Sequence, residues 1–366
     1  MLSDSNENLY KKVIPIIPSY EPDYRLITLI ENLLNKGFEK VLVINDGSNS
    51  KFDEIFNKLK NIEKCIVLTH EVNKGKGRAL KTAFTYYTEN MQEYSGVVTA
   101  DADGQHSIED IINISNKIAD TKNTLLLGVR DFKAENVPFK NSFGNTITVG
   151  IFALLFGKKI SDTQTGLRGF SNDYVKECIN IEGERFEYET KMLIDATKNH
   201  VDIKEEVIKT IYNKKEEIDK VSHFNPVKDS IKIYYTLFKQ FFLFILISLG
   251  SSAVDIGVFS LFMFIPIITN NKDIKIVIAT IMARIISSII NFFVNKKYVF
   301  ENNKKSGILL VKYYLLAITI MLLSAFAVSN LYKIGIFNET IWKIIVDVTL
   351  FILSFFVQKN YIFKKK

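Results

Sequence analysis

The C-terminal third of the chain carries four consecutive apolar stretches, Phe241 to Ile265, Ile274 to Val294, Ile308 to Leu331 and Ile341 to Val357. Each is close to the ~20 residues that cross a bilayer as a helix. One such run reads equally well as a helix buried in a soluble core, but four in succession do not. Lipid offers no hydrogen-bond partners to irregular backbone, so residues 241–366 are confined to a bundle of spanning helices.

Charge sets the orientation. Residues 241–366 hold 14 Lys/Arg against 5 Asp/Glu, a net of +9, which leaves −2 for residues 1–240. The overall +7 is therefore a property of the membrane part and not the footprint of a nucleic-acid surface. Lys296, Lys297, Lys304 and Lys305 follow the second stretch, and Lys359, Lys364, Lys365 and Lys366 follow the fourth. The positive-inside rule places both groups, and with them both termini, in the cytoplasm. Residues 1–7 show no basic, apolar signal sequence, so the N-terminal part is expected to stay on that side of the plasma membrane.

The membrane part contains a repeat. Asn291 to Phe300 matches Ser354 to Phe363 at an offset of 63 residues. Each copy corresponds to one helix pair in the same orientation, which implies an axis along the membrane normal. The offset sets Arg284 opposite Asp347. Charges within spans are costly unless paired, so Arg284 is expected to meet Asp347 or Asp255. Ahead of the first span, Ile231, Tyr234, Tyr235 and Phe238 share one face with lysines between them. Residues 222–240 thus form a juxtamembrane amphipathic helix, lying on lipid or packed on the preceding domain.

The first 240 residues alternate strands with helix-length segments. Val13 to Ile17, Val41 to Ile44, Cys65 to Leu68, Val97 to Ala100 and Leu125 to Val129 are short apolar strands; Tyr24 to Leu34 and Ala79 to Tyr87 are helices. Such an order predicts βα units around a largely parallel sheet, with ligands bound outside the carboxyl ends of its strands. Unusual polar residues gather there. Asp101 and Asp103, two apart on an extended chain, aim two carboxylates at one spot. Like charges so close call for a cation, and hard oxygen ligands suit Mg²⁺ or Mn²⁺, which in turn holds a diphosphate. Lys74, Lys76 and Arg78 sit at a helix N-terminus, where an outside anion such as a diphosphate offsets their conflict with the helix dipole, or they belong to a solvated glycine turn. Asp46 in Asn45-Asp46-Gly47-Ser48 reads as a ligand to base or ribose, or as an ordinary turn. His106 either joins the acidic site or leads into the helix capped by Ser107 and Asp110, and a place at the site edge is the expectation. His70 and His200 have no partners in sequence and read as structural. The two cysteines form no framework, and Cys65 reads as a buried strand residue.

In chain order, Ile17-Pro18-Ser19-Tyr20-Glu21-Pro22, Asn45-Asp46-Gly47-Ser48, Asn73-Lys74-Gly75-Lys76-Gly77 and Asp101-Ala102-Asp103-Gly104-Gln105-His106 resemble the family 2 glycosyltransferases. The subgroup they resemble is the polyprenyl-phosphate glycosyltransferases, similar to dolichol-phosphate mannose synthase. Residues 241–366 resemble the GtrA-like membrane domain. The resemblance implies an α/β GT-A domain, Rossmann-like with a mainly parallel sheet, over residues 1–221, followed by a four-helix transmembrane domain. It implies a nucleotide-sugar site of Pro18, Ser19, Tyr20, Glu21, Asp46, Lys76, Asp101, Ala102 and Asp103, and a metal site of Asp101, Asp103 and Gln105 for Mg²⁺ or Mn²⁺. Asp162 to Phe170 looks like the segment that closes the site. Arg130 and Arg168 are the candidates for gripping the acceptor phosphate, since a guanidinium binds phosphate through two parallel hydrogen bonds, and with Asp103 they make up the expected catalytic set. Glu187 and Glu189 are explained by helix-start stabilisation, or one of them faces the acceptor.

The expected activity is inverting transfer of a hexose, of the glucose or mannose class, from a nucleotide diphosphate-sugar to a polyprenyl phosphate such as undecaprenyl phosphate. The partners are these two substrates and the bilayer, with no nucleic acid and a possible homo-oligomer. A processive polysaccharide synthase is excluded, because its Gln-x-x-Arg-Trp motif needs a tryptophan that Trp342, inside a span, cannot supply. A lipid-sugar translocase with a non-catalytic first domain is the alternative.

Overall fold

The computed structural model describes residues 9–131, 139–209, 228–265 and 272–364, with side chains from residue 144 onward in the second of these stretches. Residues 1–7, Ser222 to Val227, Lys365 and Lys366, on which parts of the sequence reading fall, lie outside the described residues. The chain divides into two units, Met1–Leu237 and Phe238–Lys366.

In the first unit the apolar runs become strands β1 (Val13–Ser19), β2 (Val41–Asn45), β3 (Cys65–Thr69), β4 (Gly96–Thr99) and β5 (Thr124–Arg130). Two further strands, β6 (Arg168–Ser171) and β7 (Asp202–Ile208), complete a seven-stranded sheet in the order β3-β2-β1-β4-β6-β5-β7. All neighbouring strands pair in parallel except β6, which runs antiparallel between β4 and β5. Helices α1 (Arg25–Asn35), α2 (Asp53–Lys60), α3 (Lys76–Asn90), α4 (Ile108–Ile118), α5 (Phe139–Phe156), α6 (Asn172–Cys178) and α7 (Glu187–Lys198) connect the strands. Ile30, Leu33, Val43, Val98, Ile111 and Ile114 are fully excluded from solvent, so the central strands are covered by helices as a parallel sheet requires. Because β2, β1 and β4 are adjacent, their carboxyl ends bring Asn45-Asp46, Ser19-Tyr20 and the Asp101 loop side by side.

Four further helices, α8 (Lys228–Phe264, of which the second unit holds residues from Phe238), α9 (Lys272–Val294), α10 (Ser306–Leu331) and α11 (Glu339–Val357), are all long and apolar enough to cross a membrane. The protein is thus a multi-pass membrane protein. The stretch read as a separate surface helix runs without a break into the first span, and α8 is 37 residues long, about 55 Å at 1.5 Å per residue. That exceeds the ~30 Å hydrocarbon core, so part of α8 extends beyond it.

The 63-residue repeat is visible in the backbone. α9 and α11 each end in a π-helical turn, Asn295–Val299 and Gln358–Ile362, at equivalent positions. Asn295 Nδ2 donates to Asn291 Oδ1 at 2.7 Å, and its counterpart Gln358 Nε2 donates to Ser354 Oγ at 3.0 Å. The equivalent rings of Phe300 and Phe363 stack at 4.8 Å. Equivalent residues touch each other only near the axis that relates two repeats, so this stack marks it. Arg284 Nη2 lies 3.8 Å from Asp255 Oδ2. Asp347 does not meet Arg284: it is held by Lys343 at 2.9 Å and by Ser324 Oγ at 2.6 Å.

Candidate active site

A cleft of about 520 Å³ opens at the carboxyl ends of β1, β2 and β4, lined by Pro18, Ser19, Tyr20, Asp46, Lys76, Asp101, Ala102 and Asp103. Eight of the nine residues expected to bind the nucleotide-sugar are therefore together. The ninth, Glu21, is not among the residues lining the cleft, although its carboxylate accepts a hydrogen bond from the cleft residue Tyr20. Its φ is +47° and its N–H donates to Ser48 Oγ at 2.8 Å, while Pro22 lines the wall instead.

Asp101 and Asp103 do share the cleft, though not by strand alternation. β4 ends at Thr99 and the two aspartates lie on the loop and turn that follow it. Asp103 Oδ1 accepts the N–H of Gln105 at 3.0 Å, and Gly104 takes φ +73° to close the turn. Asp101 Oδ1 lies 2.7 Å from Lys76 Nζ, which also lies 3.1 Å from Glu189 Oε1. Desolvation works against both charges in the first pair. The opposite charges outweigh it, lowering Asp101 below the ordinary carboxylate range and raising Lys76 above the ordinary amine value. Asp103 is raised, first by desolvation and then by the charge of Asp101. A carboxylate held up in this way gains from a nearby cation.

Among the described residues no group of three or more His, Cys, Asp or Glu side chains forms a metal cage. Two carboxylates in one cleft still fit Mg²⁺ or Mn²⁺, because such ions are commonly held by one or two carboxylates with substrate phosphates completing the shell. Asp101 and Asp103 are the residues that would hold the ion. Gln105 contributes its backbone to the turn and is not among the residues lining the cleft. His106 Nε2 lies 3.6 Å from Asp101 Oδ2, too long for a hydrogen bond, and both ring nitrogens are buried without a hydrogen-bond partner. The site-edge position expected for it is where it lies.

The glycine-rich turn is shaped by a close approach of two helix starts. A Cβ on Gly75 would lie 2.5 Å from the carbonyl oxygen of Glu184, and one on Gly77 2.6 Å from Cβ of Tyr188. Gly75 also takes φ +99°, a conformation that disfavours other residues. Arg78 is paired with Glu184, its Nη2 2.7 Å from Oε1. Two of the three cations of this turn, Lys76 and Arg78, are thus already balanced by carboxylates.

Asp46 is buried and fully engaged. It accepts the N–H groups of Lys74 at 3.0 Å and Gly75 at 2.7 Å, and its Oδ1 lies 2.7 Å from His70 Nδ1. His70 Nε2 in turn lies 2.9 Å from Thr82 Oγ1. His70, read from sequence as partnerless, ties the Asp46 turn to α3. Ser19 Oγ, also at the cleft, is buried and without a hydrogen-bond partner.

Both expected phosphate-gripping arginines are otherwise occupied. Arg168 is fully buried, and its guanidinium donates to the carbonyls of Thr165 at 2.8 Å, Glu189 at 2.8 Å and Thr163 at 3.4 Å. It holds the closing segment to α7 and does not present itself to a ligand. Arg130 is taken by the buried Asp162, with Nε to Oδ2 at 2.6 Å and Nη2 to Oδ1 at 3.0 Å. The two glutamates separate clearly. Glu187 Oε1 accepts the N–H groups of Glu184 and Arg185, as a helix-start carboxylate does, whereas Glu189 faces Lys76. Arg185 and Phe186, unassigned from sequence, line the cleft together with Asn73 and Ala79. Their position at the start of α7, where charge and helix-start signals overlap, was the one hint available.

Comparison with known proteins shows the family. Residues 16–178 match the family described as Glycosyl transferase family 2, and residues 238–363 match the one described as GtrA/DPMS, transmembrane domain. The chain is 31% identical over 221 residues to a UDP-N-acetylglucosamine–dolichyl-phosphate N-acetylglucosaminyltransferase of Methanococcus voltae, covering 55% of this chain and 86% of that protein. It is 23% identical over 250 residues to glycosyltransferase AglJ of Haloferax volcanii, covering 66% of this chain and 78% of that protein. The chain belongs to glycosyl transferase family 2, as a family 2 domain joined to a GtrA/DPMS transmembrane domain.

Proposed function

We propose that the protein moves one sugar from a nucleotide diphosphate-sugar to a polyprenyl phosphate in the membrane, with inversion at the anomeric carbon. The observation that carries this reading is the convergence of Asp101, Asp103 and Lys76 on a cleft at the strand ends of a chain that also has four span-length apolar helices. The Methanococcus voltae relative supports it, since its name gives a nucleotide-sugar donor and a dolichyl-phosphate acceptor. That name also adds N-acetylglucosamine to the hexoses worth testing.

In this reading Tyr20, Ser19 and Asn73 face the nucleoside, and Lys76 and the start of α3 face the diphosphate. Asp101 and Asp103 would hold Mg²⁺ or Mn²⁺, which would supply positive charge against the leaving diphosphate. The acceptor phosphate is already an anion, so its attack needs positioning and not a general base. With Arg168 and Arg130 engaged elsewhere, Arg185 is the cleft residue suited to that task. The lysines beside the spans support a cytoplasmic position for the catalytic unit and both termini.

The test offers purified protein labelled UDP-N-acetylglucosamine, UDP-glucose and GDP-mannose in turn, with dolichyl or undecaprenyl phosphate and Mg²⁺ or Mn²⁺. One label is expected to enter the organic phase, and Asp103→Asn to abolish that transfer while the protein remains folded. Transfer of no label to either lipid, or full metal-independent activity of Asp103→Asn, overturns the reading.

A further inference from the structure

The carboxylate best placed to take a divalent ion already has a cation of its own. Lys76 Nζ lies 2.7 Å from Asp101 Oδ1 and 3.1 Å from Glu189 Oε1, and the three side chains are 16%, 33% and 10% exposed. Lys76 is the first residue of α3, where the helix dipole opposes a positive charge. The two carboxylates therefore hold it there against that field. Asp101 takes part only in the first of these contacts. Glu189 gives the ammonium a second anchor, on a different helix, that remains when Asp101 is given up.

We propose that Lys76 is a resident counter-ion that keeps the divalent-metal position on Asp101 closed until a nucleoside diphosphate arrives, so that metal and nucleotide are taken up cooperatively. The inference rests on the metal-diphosphate reading of this cleft. A divalent ion approaching Asp101 alone meets an ammonium within hydrogen-bond distance of the same carboxylate, and the two cations repel. A diphosphate reverses the balance. Its negative charge attracts both cations, so Lys76 can leave Asp101 for the diphosphate while staying beside Glu189. Binding of each ligand then strengthens binding of the other by the same factor, as linkage requires.

The probe is Mn²⁺, whose free and bound forms are distinguished by electron paramagnetic resonance, added to the full-length protein with and without UDP or GDP. Wild-type protein is expected to bind Mn²⁺ weakly alone and more tightly with the nucleotide. In Lys76→Met, Mn²⁺ alone is expected to bind at least tenfold more tightly than in wild type, with less further gain from nucleotide. Lys76→Arg, which keeps the charge, retains the wild-type pattern. Lys76→Gln, whose amide can still hydrogen-bond both carboxylates, provides the same reading where the methionine variant does not fold. Unchanged or weaker Mn²⁺ binding by the folded neutral variants, with nucleotide-dependent Mn²⁺ binding intact in wild type, overturns the counter-ion role alone. Absence of Mn²⁺ binding in every variant, with either nucleotide, overturns the metal reading and this inference together.

Discussion

A methyl group on Gly166 would lie 2.2 Å from Oδ2 of Asp101 and 2.7 Å from its carboxyl carbon. Gly166 cannot readily yield, because its carbonyl accepts a 2.9 Å hydrogen bond from Thr99 Oγ1 on β4. The loop is thus pinned to the strand that leads into Asp101. What must move to admit a larger residue is the Asp101 carboxylate itself.

Gly166→Ala is therefore expected to damage catalysis far more than folding. A displacement of about 1 Å at a reacting centre costs roughly 100-fold in rate. Sugar transfer should fall by about that factor, while the thermal unfolding midpoint moves by only a few degrees. Parallel activity and melting measurements on the same preparation decide it. Full activity in a well-folded Gly166→Ala protein removes Asp101 from the list of position-sensitive groups.

Arg168 makes the opposite prediction. Its three acceptors are backbone carbonyls in the closing segment and α7, and each buried group left without a partner costs about 1–3 kcal/mol. Taking the low end for all three, about 3 kcal/mol, Arg168→Met is expected to lower the unfolding midpoint by roughly 6–12 °C or more, given the about 2–4 °C per kcal/mol typical of a unit this size. Arg168→Lys should not rescue it, because one ammonium on a flexible stem cannot reproduce the planar fork. A phosphate ligand behaves differently: its loss raises KM for the acceptor and leaves the melting midpoint in place.

Arg168 also shows where the sequence stops being readable. The five strands with continuous apolar runs were legible, as was the placing of Asp46 and Asp101 at their ends, because burial on both faces of a parallel sheet demands such runs. β6 was not, since Arg168-Gly169-Phe170-Ser171 has one large apolar residue and draws its place from pairing on both sides. β7, Asp202-Ile203-Lys204-Glu205-Glu206-Val207-Ile208, carries four charged residues beside three apolar ones, a composition that an edge strand tolerates and no continuous apolar run announces. The burial of Arg168 depends on carbonyls contributed by Thr163, Thr165 and Glu189, and no local pattern announces a carbonyl. The links from Asp46 to His70 and from Lys76 to Glu189 join residues 24 and 113 positions apart. Residue type singled out Asp46 and Lys76 but not their partners: His70 reads as structural and Glu189 as a helix-start carboxylate or an acceptor contact, and only the fold selects the pairs.

In the membrane unit the sequence left Arg284 a choice between Asp255 and Asp347, and the structure separates them. Asp255 faces Arg284 and also accepts Ser287 Oγ at 2.9 Å, while Asp347 is satisfied by Lys343 and Ser324. An unpaired charge near the centre of a span costs about 3 kcal/mol. Asp255→Arg and Arg284→Asp should each lower the detergent-solubilised melting midpoint, and the double reversal should recover much of the loss. Combining Arg284→Asp with Asp347→Arg should recover nothing, because that pair is not in contact. Size-exclusion profiles of heated samples read all four variants on one scale. Equal damage from the single and double reversals would mean that the 3.8 Å approach of Arg284 to Asp255 contributes no stability, and that the exposed guanidinium is instead accommodated by the surrounding lipid headgroups through snorkelling.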